Sequence, residues 1–275
     1  MTADGVISVL AEWSRVRHPI IGMLHAPPLP GAPKFDGNWS GVVRRVIEDA
    51  EALTAGGVDG LLLENFGDAP FYPAEVPPIT LAALTALAVE VRRRASLPLG
   101  INVLRNDGRA ALAVAAAAGA QFIRVNVLCG ARVTDQGLVT GIAHALLRDR
   151  VAWQATGVRI LADVDVKHSA PLAHRPLASE THDLVWRGGA DAVIVSGAAT
   201  GLQVDPERLT EVRTAAGGKP VFVGSGAGVE SLPELLPRCD GLIVGSFFKQ
   251  HGDVYRPVDE QRVVEFVAAV RRFAS

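Results

Sequence analysis

Four stretches of the chain share one pattern, in which a helical segment meets glycine or cysteine, then a short polar turn, then a mostly apolar run. They are Gly57-Val58-Asp59-Gly60-Leu61-Leu62-Leu63, Gly119-Ala120-Gln121-Phe122-Ile123-Arg124-Val125, Gly189-Ala190-Asp191-Ala192-Val193-Ile194-Val195 and Cys239-Asp240-Gly241-Leu242-Ile243-Val244. Glycine stops a helix in a left-handed cap, and a short β-branched run after a turn reads as a buried strand. Further apolar runs stand at Ile20–Leu24, at Leu99–Val103 after Pro98, at Val158–Val164 after Gly157, and at Val221–Gly224 after Pro220. The pattern therefore predicts eight strands starting near 20, 60, 99, 121, 158, 191, 220 and 241, with helices between them, for example over Ala110–Ala118 and Asp205–Thr214.

Strands that are apolar on both faces and alternate with helices belong to a parallel sheet covered by helices. Eight such units in 275 residues predict a single (β/α)8 TIM barrel, a fold of roughly 250 residues. The runner-up is an open doubly wound sheet, but no Gly-x-Gly-x-x-Gly follows the first strand. No linker or low-complexity stretch divides the chain, so residues 1–275 are expected as one domain, with residues 1–18 as a helix capping the barrel bottom. Two loops are stiffened by four prolines each: Ala26–Pro33 after strand one, and Phe66–Pro78 after strand two. In a barrel both belong to the C-terminal face, where sites are built.

Composition narrows the function classes. Hydrophobic residues make up 49% and charged residues 20%, an ordinary globular balance. A formal net charge of −2 leaves no cationic excess for nucleic acid or an anionic membrane. The tight basic runs, Arg92–Arg94 and Arg271-Arg272, fall near predicted helix ends, where cations meet the helix dipole favourably. Cys129 and Cys239 lack metal-ligand spacing and read as packing thiols of a reducing compartment, with Cys129 placed to line a pocket past a strand end. Neither a signal peptide nor an 18-residue apolar span is visible, so a cytoplasmic protein without stable membrane insertion is expected. A homo-oligomer is the expected assembly.

The candidate chemistry collects at the strand ends. Gly224-Ser225-Gly226 ends strand seven and Gly245-Ser246 ends strand eight. Glycine-rich turns feeding helix N-termini aim several backbone N–H groups at one point, and barrels place phosphates after strands seven and eight. A phosphorylated small molecule is thus the expected ligand. Side chains alternate along a strand, so Asp163, Asp165 and Lys167 should share one face while Ala162, Val164 and Val166 take the other. The ionic stripe is expected at the barrel mouth, because facing the apolar helix layer would be too costly. The same alternation turns Arg124 and Asn126 inward, together with Asn102, Glu64 and His25. His168 and Ser196 complete the set of residues expected to bind substrate.

Roles remain open at this level. Asp163 and Asp165 are candidates for an acid–base pair. With Glu64 they also form a hard oxygen set suited to Mg2+, the one metal expected if any is needed. His25 is either a proton carrier or a structural histidine. Lys167 could form a Schiff base if its pKa were depressed, but two neighbouring carboxylates should hold it charged, which favours an orienting role with His25, Glu64 and the two aspartates as catalytic partners.

At these residues the chain resembles the BtpA family of barrel proteins, grouped with the ribulose-phosphate-binding type. The resemblance rests on Gly22-Met23-Leu24-His25-Ala26-Pro27-Pro28-Leu29-Pro30-Gly31, Glu64-Asn65-Phe66-Gly67-Asp68, Gly100–Asn106, Phe122–Asn126, Ala162–His168, Val223–Gly226 and Ile243–Lys249. It spans nearly the whole chain, and the first and fifth motifs are the most specific. It implies a phosphate-binding barrel acting on a phosphosugar or a nucleoside-phosphate-like substrate, by isomerase, lyase or glycosidic-bond chemistry. Two alternatives remain: a non-catalytic assembly or regulatory factor that binds a phosphometabolite, as the family's photosystem I role suggests, and an FMN-binding barrel.

Overall fold

The computed structural model describes residues 8–197 and 204–274. In chain order the strands are β1 (Ile20–His25), β2 (Gly60–Glu64), β3 (Leu99–Asn102), β4 (Phe122–Val125), β5 (Ala131–Thr134), β6 (Gly137–Thr140), β7 (Arg159–Val164), β8 (Ser169–Pro171), β9 (Ala192–Val195), β10 (Val221–Val223) and β11 (Gly241–Val244). The helices are α1 (Trp39–Ala55), α2 (Pro78–Arg94), α3 (Gly108–Ala118), α4 (Ala143–Ala152), α5 (Leu177–His182), α6 (Pro206–Ala215), α7 (Leu232–Leu235) and α8 (Glu260–Ala274). Eight strands close a parallel barrel in the order β1-β11-β10-β9-β7-β4-β3-β2. The eight apolar runs of the sequence are these eight barrel strands, and the expected helices over 110–118 and 205–214 fall on α3 and α6.

The recurring helix-to-strand joint has a second purpose that its hydrophobic pattern does not reveal. The polar residue of each copy accepts a hydrogen bond from the first or second amide of the neighbouring strand. Ile20 N–H donates to Asp59 Oδ2 at 2.7 Å, Leu99 to Gln121 Oε1 at 2.9 Å, Ile160 to Asp191 Oδ2 at 2.9 Å, and Val221 to Asp240 Oδ2 at 2.8 Å. A strand-initial amide at the barrel bottom would otherwise lack a partner, and a buried unpaired donor costs about 1–3 kcal/mol. Each joint thus turns the chain and staples two strands.

The barrel interior is a separate apolar cluster that includes Ile21, Leu62, Phe122, Leu161, Phe222 and Ile243. Its aromatic rings fit because the facing positions carry no side chain: a Cβ at Gly100 would overlap the Phe122 ring, and one at Gly241 the Phe222 ring. Beneath them lies Trp13, 1% exposed, with ring centroids 5.7 Å from Phe122 and 6.2 Å from Phe222. Its indole N–H donates to the Asp59 carbonyl at 2.8 Å.

Two features depart from expectation. Residues 1–7 of the capping helix expected over 1–18 lie outside the described residues; among residues 8–18 the segment forms one 3-10 turn, Ala11–Trp13, and the described part of the cap is the Trp13 indole. The second is a small antiparallel sheet at the mouth, in the order β6-β5-β8, built from a hairpin after β4 and a short strand after β7. It covers Val127, Val139 and Val166.

Replacing Asp191 by Ala removes the acceptor for Ile160 N–H and should lower the unfolding free energy by about 1–3 kcal/mol in urea denaturation.

Candidate active site

Strand register fixes the site. In the barrel ladder His25 pairs with Glu64, Glu64 with Asn102, and Asn102 with Arg124. Residues in register on neighbouring strands face the same way, so these four side chains form one inward tier at the C-terminal ends of β1 to β4.

Arg124 and Asp163 lie at the centre, with side chains 3% and 0% exposed. Arg124 donates from Nε to Asp163 Oδ2 and from Nη2 to Oδ1, both at 2.8 Å. Asn126 Nδ2 adds a bond to Oδ2 at 3.2 Å, and Ser196 Oγ one to Oδ1 at 3.3 Å. Asn102 Nδ2 holds Asn126 Oδ1 at 3.1 Å, while its own Oδ1 is buried without a hydrogen-bond partner among the described residues. Asp163 is therefore saturated by donors.

One cavity at the mouth is lined by His25, Glu64, Phe66, Arg124 and Lys167 on one side, and by Gly224–Ala227 and Gly245–Phe247 on the other. His25 Nε2 lies 3.9 Å from Glu64 Oε1, and its Nδ1 is buried with no hydrogen-bond partner among the described residues. Its ring is tilted against Phe66, with centroids 4.5 Å apart. Burial first, then the cations Lys249 and Lys167, hold the His25 pKa well below its ordinary range. Burial pushes the Glu64 carboxyl up, while Arg124 and Lys167 oppose that shift. Lys167 is pushed down, chiefly by burial and then by Arg124, against the pull of Glu64 and Asp163. The pull of the carboxylates expected to dominate at Lys167 is outweighed by desolvation and Arg124.

The glycine turns are constrained from the barrel side. A Cβ at Gly245 would stand 3.0 Å from His25 Cε1, and one at Gly224 would stand 2.8 Å from Ser196 Oγ. Backbone and tier are thus in direct contact. The helices beyond are shorter than expected. A 3-10 turn (Val229–Ser231), α7 and another 3-10 turn follow the first glycine turn, and a 3-10 turn (Ser246–Phe248) follows the second. Ser225 Oγ accepts from the Gly197 amide at 3.2 Å.

Several expected members stand elsewhere. The alternation over 163–167 ends with β7 at Val164, because Asp165 takes a left-handed φ of 51°. Asp165 consequently turns away from Glu64 and Lys167, accepts from Arg132 Nη1 at 2.6 Å and also pairs with Arg208. Asp163 and Asp165 are not an acid–base pair, and Asp165 lines a second cavity with Asn126, Cys129, Arg132 and Asp163. Among the described residues no group of three His, Cys, Asp or Glu side chains is placed to hold a metal ion, so Glu64, Asp163 and Asp165 are not a Mg2+ set. His168 is exposed at a φ of 56° and lines neither cavity. Asn102 and Ser196 support the site from behind. Cys129 does line a cavity, half-buried, while Cys239 is buried with its thiol pushed up to about 12.

Sequence reasoning missed Lys249 and Arg105. Lys249 is fully buried and donates to Asp49 Oδ2 at 2.7 Å, while Asp49 Oδ1 accepts from Val258 N–H at 2.7 Å. It locks the segment after β11 onto α1 and places a cation near His25. Arg105 Nη2 donates to the Lys167 carbonyl at 2.6 Å and so fixes the backbone that carries Lys167. A lysine directly after a glycine-rich strand end, in an otherwise arginine-dominated chain, was the available signal for Lys249.

The BtpA family model matches residues 16–272. The photosystem I biogenesis protein BtpA of Synechocystis sp. is 44% identical over 261 residues, covering 95% of this chain and 91% of that protein. An uncharacterized protein of Thermococcus kodakarensis is 44% identical over 253 residues, 91% of this chain and 94% of its own. An uncharacterized mitochondrial protein of Caenorhabditis elegans is 33% identical, covering 96% of each. Among solved structures, N-(5'-phosphoribosyl)anthranilate isomerase from Pyrococcus furiosus superposes with a TM-score of 0.57 at 14% identity, over 93% of this chain and 99% of the other. KGPDC from Streptococcus mutans gives 0.57 at 13%, over 94% and 100%. At these identities the likeness is one of fold. No helix among the described residues is long and apolar enough to cross a membrane.

Two measurements check the electrostatics. Asp163→Ala strands the buried Arg124 charge and should cost about 3–5 kcal/mol in urea unfolding, whereas the double variant Arg124→Met/Asp163→Leu should cost clearly less. For His25, the unfolded chain binds a proton below 6.5 while the folded chain does not, so its contribution to stability is lost as pH falls through that value. Glu64 acts in the opposite sense, being raised on folding, so the variant comparison isolates the histidine. Wild type should lose stability relative to His25→Gln below pH 6.5, at a slope approaching about 1.4 kcal/mol per pH unit.

Proposed function

This chain belongs to the BtpA family, and on that premise we propose that it is an enzyme acting on a phosphorylated sugar or nucleoside-phosphate-like substrate by acid–base chemistry. The phosphate sits against the backbone of Gly224–Gly226 and Gly245–Ser246, and the carbon chemistry takes place over the His25–Glu64–Lys167 side. One observation carries this reading: His25 and Glu64 stand 3.9 Å apart in a single cavity, with pKa values pushed in opposite directions and a glycine–serine wall facing them. A neutral imidazole accepts a proton near neutral pH, and a carboxyl raised by burial retains or returns one, which is the division of labour a proton-transfer pair needs. Arg124 contributes fixed positive charge, because Asp163 prevents it from swinging toward solvent.

The glycine wall suits an anion on two grounds. Gly224, Gly226 and Gly245, with the small Ser225, Ala227 and Ser246, leave the backbone open to the cavity, and Lys167 and Arg124 line the same cavity. Isomerisation, lyase and glycosidic-bond reactions all fit a proton-transfer pair beside an anchored phosphate.

The test is a stability panel of sugar phosphates and nucleoside phosphates, with inorganic phosphate as the minimal probe. A ligand at 100 times its dissociation constant should add about 2.7 kcal/mol. Ser246→Asp places a negative charge on the wall and should abolish the inorganic phosphate shift. With a stabilising compound in hand, Glu64→Gln should slow its turnover by about 10²–10⁴-fold while that shift persists. A wild type that binds such compounds and turns none of them over would favour a sensor instead, and a yellow purified protein an FMN barrel.

A further inference from the structure

The chain holds only four lysines, Lys34, Lys167, Lys219 and Lys249, among its 27 basic residues. Arginine stays charged inside proteins, so a position that needs only positive charge is met by it, and the interior sites Arg124 and Arg132 follow that usage. The two lysines drawn into the interior differ sharply. Lys249 has no exposed surface and is tied to Asp49 at 2.7 Å, which makes it a structural cation. Lys167 lines the mouth cavity, and its ammonium makes no hydrogen bond or ion pair with the described residues. Of the two carboxylates that act on it, Glu64 is itself pushed up by burial, and Asp163 already receives the Arg124 fork, Asn126 and Ser196. The backbone of Lys167 is meanwhile pinned through its carbonyl by Arg105. A lysine held at its root, lining the cavity at its tip and bonded to no carboxylate among the described residues is placed as a nucleophile, and burial and Arg124 lower its pKa against the pull of Glu64 and Asp163.

We propose that Lys167 forms a Schiff base with the carbonyl carbon of a phosphorylated aldose or ketose anchored in the same cavity. This deepens the phosphate-anchoring reading and rests on it for the placement of the carbonyl. The neutral Nζ attacks the carbonyl carbon, and one of its protons passes to the carbonyl oxygen to give a carbinolamine. Glu64, the carboxyl facing the cavity, gives its proton to that hydroxyl, which leaves as water as the C=N bond forms. The products are a protonated imine on Lys167 and a carboxylate on Glu64, so charge and atoms balance, and the new cation gains a counter-ion inside the cavity. No oxidant, reductant or metal enters the step. A carbanion formed next to the iminium carbon is then stabilised by it, which gives isomerisation and carbon–carbon cleavage one common device.

The experiment uses the full-length chain with dihydroxyacetone phosphate and ribulose 5-phosphate as probes, each with sodium borohydride to reduce any imine, followed by peptide mass mapping. The expected result is a stable adduct on the Lys167 peptide, heavier by the mass of the probe less one oxygen atom, suppressed by excess inorganic phosphate and lost in Lys167→Arg. Because mapping distinguishes four lysines in the wild type, the site is read even if the variant fails to fold. Absence of a Lys167 adduct with both probes overturns the proposal, as do adducts spread evenly over Lys34 and Lys219. If inorganic phosphate still stabilises such an unlabelled protein, the phosphate reading stands and only the covalent step falls. If Lys167 is labelled but inorganic phosphate neither stabilises nor competes, the anchoring reading falls instead.

Discussion

Two opposite charges inside a barrel interior are tolerable only if every lone pair and donor around them is used, and the Arg124–Asp163 pair meets that condition. Taking each ion out of water costs several kcal/mol, which the fork itself does not offset without added donors. Asn126 and Ser196 supply them, and Asn102 holds Asn126 in place. The remainder of the site follows from this arrangement. With Asp163 and Arg124 bonded to each other, Asp163's pull on Lys167 and Arg124's on Glu64 act without a direct bond, and burial outweighs both. The neighbouring His25, Glu64 and Lys167 therefore sit in a low-dielectric mouth with incomplete pairing, and each is displaced from its ordinary protonation behaviour in the direction that weakens its charge. The pair also forms the partition between the two cavities, one lined by Arg124 and the other by Asp163.

The barrel was legible in the sequence because its determinants are local. Apolar runs, glycine caps and strand-initial prolines each act within a few residues, so all eight strand starts could be placed. The inward tier was legible for the same reason as far as the strands remain regular: alternation correctly turns His25, Glu64, Asn102 and Arg124 into the barrel. It fails one residue after β7 ends, where Asp165 adopts a left-handed conformation. Alternation has no meaning outside extended backbone, and nothing in Asp163-Val164-Asp165 announces the change, since an aspartate tolerates that conformation without a glycine. The arginines that capture Asp165 come from β5 and α6, 33 and 43 residues away.

The small sheet over the mouth escaped for a different reason. β5 and β6 are four residues each and β8 is three, with few buried side chains, so their hydrophobic signal is faint beside that of the barrel. Lys249 was hidden because burying a lysine is a non-local decision that depends on Asp49, 200 residues earlier. What the chain conceals is thus not its architecture but its long-range ion pairing, and the pairing decides which polar residues at the mouth are spent on structure and which stay available.

Trp13 closes the bottom of the barrel by packing edge-on against Phe122 and tilted against Phe222. With that end sealed by aromatic rings and the interior filled with apolar side chains, the mouth cavity is a cul-de-sac. Traffic is one-way in geometry and two-way in direction: whatever leaves must retrace the path of whatever enters. Departure and arrival therefore exclude one another, and a lingering occupant competes directly with its successor for the same doorway.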